Sequence, residues 1–204
     1  MNEPSPSAAP AAPLAAAPAA GPGSVAAHRE TTALLGMTVF VASWVMLFAS
    51  LFFAYAVVRV RAILWPPPNL PPLPLGLPAL GTGLLALASG ALLALVRFPA
   101  GLGSARRRLA GAFAGGAGFL LVQMAVWRDL WAQGLRPTSG PYGSVFYGLT
   151  AFHALHVAVG LCAVLVLFAR AHRPGARLGQ RVWAVYFHTV GALWLAMLVG
   201  VYWL

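Results

Sequence analysis

The chain has 204 residues, of which 60% are hydrophobic and only 8% are charged. Soluble domains carry about 25% charged residues, so this composition excludes an ordinary water-soluble globule and indicates a membrane protein. Thirteen basic residues, all of them arginine, stand against three acidic ones.

The chain begins with a segment rich in alanine and proline. Residues 1–27 hold six prolines, and the first basic residue is Arg29. Such a composition offers no apolar face to bury and predicts a disordered tail over residues 1–30. Because no lysine or arginine precedes Arg29, we expect neither a secretory signal nor a mitochondrial presequence.

Five apolar segments follow, and each approaches or exceeds the roughly 20 residues that a transmembrane helix needs. They lie at about residues 31–58, 75–96, 109–127, 142–169 and 182–204. Seven prolines between residues 66 and 78 predict an extended loop before the second segment. We therefore predict an all-α integral membrane bundle of five transmembrane helices over residues 31–204.

The arginines predict how this bundle is oriented. With five spans, the N-terminus shares one side with the loops after the second and fourth helices. Nine arginines fall on that side and four on the other. By the positive-inside rule the N-terminus is cytoplasmic and the C-terminus periplasmic. The same clusters are expected to contact anionic lipid head groups, and no nucleic-acid partner is expected.

Small residues recur at four-residue spacing in three of the helices. They are Ala86, Gly90 and Ala94, then Gly111 and Gly115, then Ala192, Ala196 and Gly200. Such rows let helix backbones approach closely in a membrane. They indicate either packing within the bundle or a docking surface for a larger membrane partner, and the sequence does not decide between the two.

Polar residues inside the spans are candidates for function, because they are costly there. His153 and His156 lie three apart on one face of the fourth helix, His188 lies in the fifth and Gln123 in the third. At 1.5 Å per residue, His188 and His156 lie about 10 Å and about 20 Å deep, so they are not level as two axial haem ligands would be. Structural hydrogen bonding is favoured over metal or haem binding. The single cysteine, Cys162, excludes an intrachain disulfide.

The acidic residues exclude further classes of protein. Glu3, Glu30 and Asp129 all lie outside the apolar segments. Ion-coupled transporters and proton pumps usually carry a carboxylate within the membrane. No GxSG motif of an intramembrane serine protease surrounds any serine of the spans. The residues alone favour an accessory membrane subunit over a transporter or an enzyme.

An ordered series of motifs runs from residue 36 to residue 194. It consists of Gly36-Met37, Phe40-Val41-Ala42-Ser43 and Val45-Met46-Leu47-Phe48; Tyr55, Arg59 and Trp65-Pro66-Pro67; Gln123 and Trp127; Tyr142-Gly143-Ser144, Phe146-Tyr147, Thr150, Phe152-His153-Ala154-Leu155-His156-Val157 and Gly160; and Tyr186-Phe187-His188, Val190 and Trp194. In these motifs the chain resembles subunit III of the haem-copper respiratory oxidases, the cytochrome c and quinol oxidase family. The layout is similar to the short five-helix form, which lacks two N-terminal helices.

The resemblance implies a redox-inert accessory subunit in a bacterial inner (plasma) membrane. Such a subunit binds catalytic subunit I beside other oxidase subunits, holds phospholipids in a cleft and supports proton uptake and the durability of subunit I. Haem and copper are expected in the partner subunits and no cofactor, metal or catalytic residue in this chain. The candidate lipid or subunit contacts are Arg59, Trp127, His153, His156 and His188. The alternative is a subunit III-like protein associated with a nitric oxide reductase.

Three positions depart from the family pattern, and each loses an acid. Trp44 stands where the family usually has Glu, Gly191 where it often has Asp, and Val126 where an acid precedes the tryptophan. Trp44 and Gly191 lie at similar depth, about 15 Å from the cytoplasmic ends of their helices. We hypothesise that Trp44 fills the space left at Gly191, as an apolar knob and hole. A family role that needs the buried Glu is not expected here.

Overall fold

The computed structural model describes residues 22–98, 101–173 and 175–203. Within these residues the chain is all-helical, without strands. The helices are α1 (Pro22–Arg61), α2 (Gly76–Arg97), α3 (Leu102–Ala132), α4 (Pro141–Ala169) and α5 (Ala176–Met197), with α5 continued by a π-helical segment, Leu198–Trp203. All five helices are long and apolar enough to cross a membrane, judged by length and composition. The predicted all-α class with five long apolar helices is confirmed for this part of the chain.

The start of α1 differs from the prediction. The helix begins at Pro22, so residues 22–30 are helical rather than part of the predicted tail, whose residues 1–21 lie outside the described residues. Proline is favoured in the first turn of a helix, where its missing N–H costs nothing, and alanine is the best helix former. An ion pair between Glu30 and Arg181 of α5 ties this first part of α1 to the bundle.

α3 and α5 also begin before their predicted starts. α3 begins at Leu102 rather than near residue 109, and it includes Arg106, Arg107 and Arg108. Long arginine side chains can reach the membrane surface while the backbone continues as a helix. Nη1 of Arg108 donates to the carbonyl oxygens of Ala94 at 2.8 Å and Phe98 at 2.9 Å. The arginine therefore satisfies carbonyl groups at the C-terminal end of α2.

The helices form a ring. Each contacts the next in the order α1, α4, α3, α2, α5 and back to α1, and α4 also contacts α5 across the centre. α1 meets its neighbours through a stripe of buried residues at helical spacing, Val41, Trp44, Phe48 and Tyr55. Its remaining surface is largely exposed apolar side chains. This is the arrangement expected of a helix at the edge of a membrane bundle.

The closest helix contact joins α2 and α3. A Cβ atom at Gly115 would lie 2.6 Å from the carbonyl oxygen of Leu84 and 3.1 Å from the amide nitrogen of Ala88, so only glycine permits this approach. At Gly111, one turn earlier, a Cβ would lie 4.0 Å from the Cβ of Ala91, an ordinary contact. The small-residue row of α3 therefore serves packing within the bundle.

Contacts bring the start of α1, the end of α2, the start of α3, the end of α4 and the start of α5 together at one end of the bundle. Besides the Glu30–Arg181 pair and the bonds of Arg108, the guanidinium carbon of Arg106 lies 5.5 Å from the ring centroid of Phe168 in α4. We call this the arginine end.

Candidate functional site

Arg59 belongs to an aromatic cluster at the end opposite the arginine end. Its guanidinium lies 5.3 Å over the ring of Trp65, and its Nη1 lies 3.5 Å from the hydroxyl of Tyr55. Trp65 packs edge-on against Tyr142, with ring centroids 4.8 Å apart, and the Tyr142 hydroxyl donates to the carbonyl of Pro71 at 3.2 Å. A guanidinium has five N–H donors, so Arg59 is held in place yet can still bind a phosphate or carboxylate.

Trp127 connects α3 to α4 inside the bundle. Its indole Nε1 donates to the hydroxyl of Thr150 at 3.1 Å, and Thr150 in turn donates to the carbonyl of Phe146 at 2.8 Å. The Tyr147 hydroxyl, one turn away, donates to the carbonyl of Leu135 at 2.9 Å and holds the α3–α4 loop. Trp127 therefore links α3 to α4 through this hydrogen bond.

His153 lies at the centre of the bundle and is only 1% exposed. Its ring is surrounded by Trp194 at 5.3 Å, Phe119 at 5.5 Å and Phe48 at 6.4 Å between centroids. Its Nε2, like Nε2 of the buried Gln123, has no hydrogen-bond partner among the described residues. A buried polar atom without a hydrogen-bond partner costs free energy. The His153 ring is therefore held by its aromatic neighbours and not by hydrogen bonds of Nε2.

His156, three residues on, faces α1. Its ring lies 4.6 Å from that of Trp44 and 5.4 Å from that of Phe48, and its Nδ1 pairs with the carbonyl of Phe152 at 2.7 Å. The carbonyl of His156 accepts the hydroxyl of Tyr186 at 2.9 Å. His156 and His153 thus share Phe48 as a neighbour but bind no common group.

His188 of α5 faces α2, whereas Tyr186 of the same helix faces α1. Its Nδ1 is hydrogen-bonded to the hydroxyl of Ser89, and the indole of Trp194 donates to the hydroxyl of Thr82 at 2.8 Å. Both bonds border a largely apolar groove of about 360 Å³ between α2 and α5, whose lining includes Gly191. We call it the α2–α5 groove.

The three histidines therefore occupy three different places: the bundle centre, the contact with α1 and the α2–α5 groove. Across the described ranges, no group of three His, Cys, Asp or Glu side chains is placed to hold a metal ion. At these positions the histidines pack against aromatic rings or take part in hydrogen bonds between helices.

The knob-and-hole hypothesis for Trp44 and Gly191 is wrong. Trp44 packs against His156 and against Tyr186, whose ring centroid is 5.5 Å away. A Cβ at Gly191 would meet no atom within 4 Å, because this residue opens onto the α2–α5 groove. Tyr186 and Gly191 are five residues apart, which turns the two about 140° from each other around α5. Although Trp44 and Gly191 are predicted at equal depth, Gly191 does not lie on the face of α5 that contacts Trp44.

Val126, the third departure from the family pattern, is fully buried in α3. A carboxylate at this point would have needed a partner in the bundle interior, since an unpaired buried charge is very costly. Valine avoids that requirement.

Two polar residues of α2 escaped our sequence-based set of candidates. The Thr82 hydroxyl accepts from the indole N–H of Trp194, and the Ser89 hydroxyl shares a hydrogen bond with Nδ1 of His188. They are seven residues apart, two helical turns on one face, within an otherwise apolar span. That spacing was the signal that pointed to a polar contact with a neighbouring helix.

The chain is similar to known proteins over most of its length. Residues 21–204 match the family model described as cytochrome c oxidase subunit III. A probable cytochrome c oxidase subunit 3 of Mycobacterium tuberculosis is 33% identical over 184 residues, covering 86% of this chain and 89% of that protein. Cytochrome c oxidase subunit 3 of Synechocystis sp. is 30% identical over 177 residues, covering 83% and 74%. The protein of that name from Equus caballus is 32% identical over 185 residues, covering 82% and 68%.

Proposed function

The chain belongs to the cytochrome c oxidase subunit III family and is a multi-pass membrane subunit of a haem-copper oxidase, and we propose that it is the redox-inert accessory subunit of that complex. The observation that carries the proposal is the family match, which runs from residue 21 to residue 204 and includes all five helices. The oxidase names of the relatives favour an oxidase over a nitric oxide reductase as the partner complex.

The contacts of the three histidines support a structural role for them, without redox chemistry in this chain. His188 is engaged by Ser89, His156 by its own helix and by Trp44, and His153 by three aromatic rings. Each imidazole has a packing or hydrogen-bonding task at a separate place. Electron transfer is accordingly assigned to haem and copper in the partner subunits, catalytic subunit I among them.

Two surfaces are suited to contact subunit I, other oxidase subunits or phospholipid. The first is the outward face of α1, where Val39, Met46 and Phe53 are exposed. The second is the α2–α5 groove, whose small residues would let another helix or an acyl chain approach closely. Of the five candidate contact residues, His188 lines the α2–α5 groove, Arg59 lies over Trp65 and His153 is buried at the bundle centre. Trp127 and His156 are partly buried.

The proposed orientation places the arginine end in the cytoplasm, by the positive-inside rule. Nine of the thirteen arginines belong to the segments at that end. The mycobacterial and cyanobacterial relatives support a bacterial plasma membrane as the location.

We propose that this subunit supports proton uptake by the oxidase and the durability of subunit I. The aromatic contact of Trp44 in α1 with Tyr186 in α5, and the hydrogen bond from Tyr186 to the carbonyl of His156 in α4, join these three helices into one surface that can contact lipid or a neighbouring subunit. Because Trp44 replaces the family Glu, this contribution does not depend on a carboxylate at that position.

A tagged copy of the full chain, expressed in its native host and purified in mild detergent, tests the proposal. We expect a haem-copper catalytic subunit to copurify in near-equal amount, with haem absorption that disappears when the partners are removed. Activity measured over many turnovers should decline faster in a strain that lacks the chain.

Two results would contradict the proposal. Haem retained by the isolated chain would overturn its redox-inert role, and recovery of a nitric oxide reductase core without any oxidase would replace the partner complex.

A further inference from the structure

Three buried side chains from three different helices each leave a polar atom unpartnered in the bundle interior. They are His153 of α4, Gln123 of α3 and Tyr202 of the π-helical segment that continues α5, which are 1%, 3% and 7% exposed. Nε2 of His153, Nε2 of Gln123 and the hydroxyl of Tyr202 find no hydrogen-bond partner among the described residues. Such atoms are costly in a membrane bundle, because neither lipid nor an apolar side chain can satisfy them. A fourth atom of this kind, Nε1 of Trp44, belongs to the contact of α1 with His156.

A hydrogen bond between α3 and α4 places Gln123 and His153 at the same level of the bundle. Trp127 donates to Thr150, which fixes the register of these two consecutive, oppositely directed helices. Gln123 precedes Trp127 by four residues and His153 follows Thr150 by three, so both lie about one helical turn further into the bundle. The ring of Phe119, one turn beyond Gln123 on α3, lies 5.5 Å from the His153 ring. The two buried side chains therefore share one layer of the interior.

Tyr202 reaches this layer from the extension of α5. Its ring centroid lies 6.0 Å from that of Trp194, which in turn lies 5.3 Å from that of His153. The Gln123 side chain is near enough to the Tyr202 hydroxyl to influence it as a hydrogen-bonding group, yet the two make no direct hydrogen bond. π-Helical turns are frequent at functional sites, and this one carries Tyr202. Its hydroxyl thus lies beside a polar group that it does not bond directly.

The three polar atoms complement one another as partners of a single water molecule. The amide nitrogen of Gln123 donates, the Tyr202 hydroxyl donates or accepts, and Nε2 of an uncharged imidazole accepts. A charge on His153 would be very costly, because the two acids among the described residues, Glu30 and Asp129, lie at the two ends of the bundle beside arginines. A buried water ordinarily makes about three hydrogen bonds. Three suitable partners from three helices meet that requirement.

We propose that one water molecule is bound between Nε2 of His153, Nε2 of Gln123 and the hydroxyl of Tyr202, and joins α3, α4 and the extension of α5. It accepts from the Gln123 amide and the Tyr202 hydroxyl and donates to His153. Two hydrogen bonds of about 2.8 Å through one oxygen span polar atoms that are too far apart for a direct bond. The aromatic rings around His153 fix its position, and the water satisfies its Nε2. A metal ion is a poorer occupant, since across the described ranges no three His, Cys, Asp or Glu side chains converge.

Substitutions that remove only a polar atom distinguish a bound water from three unpartnered groups. Tyr202→Phe deletes the hydroxyl, and Gln123→Met replaces the amide by an apolar side chain of similar size. Each should lower the melting temperature of the full chain in detergent by about 2–4 °C, because the water loses a partner. The double variant should lose little more than either single variant, since both changes disrupt the same bound water.

Tyr186→Phe combined with Tyr202→Phe is the matched control. The Tyr186 hydroxyl bonds the carbonyl of His156 at 2.9 Å, on the side of α5 that contacts α1, so the two losses should add. Additive losses for Tyr202→Phe and Gln123→Met would overturn the shared water. An unchanged or raised melting temperature in either single variant would also overturn it, because removal of an unpartnered buried atom relieves a cost. Recovery of partner subunits is measured in each variant as the check that it folds.

Electron cryo-microscopy of the chain with its partners, at a resolution that shows ordered water, locates the molecule directly. We expect density within hydrogen-bonding distance of all three atoms in the wild type, and its loss in Gln123→Met. A direct bond between Gln123 and Tyr202 with no density beside His153 would overturn the proposal, even if the two residues prove to be energetically coupled. The site does not depend on which complex the subunit joins, so its failure would leave the proposed function standing.

Discussion

Ser89 of α2 and His188 of α5 share a hydrogen bond at the edge of a membrane-facing groove. The bond joins two helices that are adjacent in the bundle but far apart in sequence, and Thr82 and Trp194 repeat the arrangement two turns away. α2 and α5 are thus held by polar contacts where the lipid chains supply no hydrophobic drive for association. This relationship gives the first of four testable predictions.

Ser89→Ala should weaken the α2–α5 contact, because His188 loses its partner on the neighbouring helix. We expect a loss of about 0.6 kcal/mol in the free energy of unfolding, since interhelical hydrogen bonds in membranes average near that value. Thermal unfolding in detergent measures it. The control is Ser43→Ala, whose hydroxyl bonds only the carbonyl of Val39 in its own helix. An equal loss in both variants would deny the Ser89–His188 bond any special role.

Gly115→Ala should destabilise the subunit by about 1–3 kcal/mol through overpacking. The added Cβ would lie 2.6 Å from a backbone oxygen of α2, which cannot yield without moving the helix. Gly111→Ala, one turn away on the same face, should be nearly neutral because it meets only an ordinary contact. Melting temperatures of the two variants give the comparison, and similar values would contradict the close approach at Gly115.

Gly191→Leu is expected to be tolerated in the subunit itself, within about 0.5 kcal/mol. The position opens onto the α2–α5 groove, which has room for the side chain. Gly160→Ala serves as the opposite case, since its Cβ would lie 3.0 Å from the Phe187 ring. Strong destabilisation by Gly191→Leu in the isolated subunit would restore the knob-and-hole hypothesis. Reduced recovery of partner subunits with unchanged stability would instead identify the groove as an interface.

Arg108→Gln should lower the free energy of unfolding by about 1–2 kcal/mol, because two carbonyl groups at the end of α2 lose a charged hydrogen-bond donor from α3. Arg107→Gln is the control, as Arg107 bonds only the hydroxyl of Ser104 in its own helix. Hydrogen exchange of the last turn of α2 reports the effect directly. We expect faster exchange in the Arg108 variant alone, and equal rates in both variants would refute this role.

Much of the fold could be predicted because a bilayer imposes a length and a polarity on every span. The ends of α2 and α4 agree with the prediction to within one residue. The starts of α1, α3 and α5 do not, because these helices extend beyond the apolar segments into charged or proline-containing sequence. Arginine side chains that reach outward, and an ion pair between Glu30 and Arg181, let those helices continue past the apolar segment.

The candidate site was less predictable, because the spacing along a helix gives depth but not the neighbour that a side chain meets. His153 and His156 are three residues apart on α4, yet one lies in the bundle centre and the other against Trp44. The partners Ser89 and Thr82 are about a hundred residues away in sequence from the α5 side chains that they bind. No local pattern pairs residues at that separation.

The sequence by itself determined the membrane environment, the five apolar helices and the family, since each follows from composition, from the length of the apolar segments or from ordered motifs. Only the tertiary structure decided which face of each helix turns inward. In a soluble protein the apolar face of a helix is the face that packs against the core. Here the lipid and the bundle interior are equally apolar, so the sequence of a helix does not show which of its faces turns inward. Trp44 and Gly191 lie at the same predicted depth, and the contacts of α5 alone show that they face different neighbours.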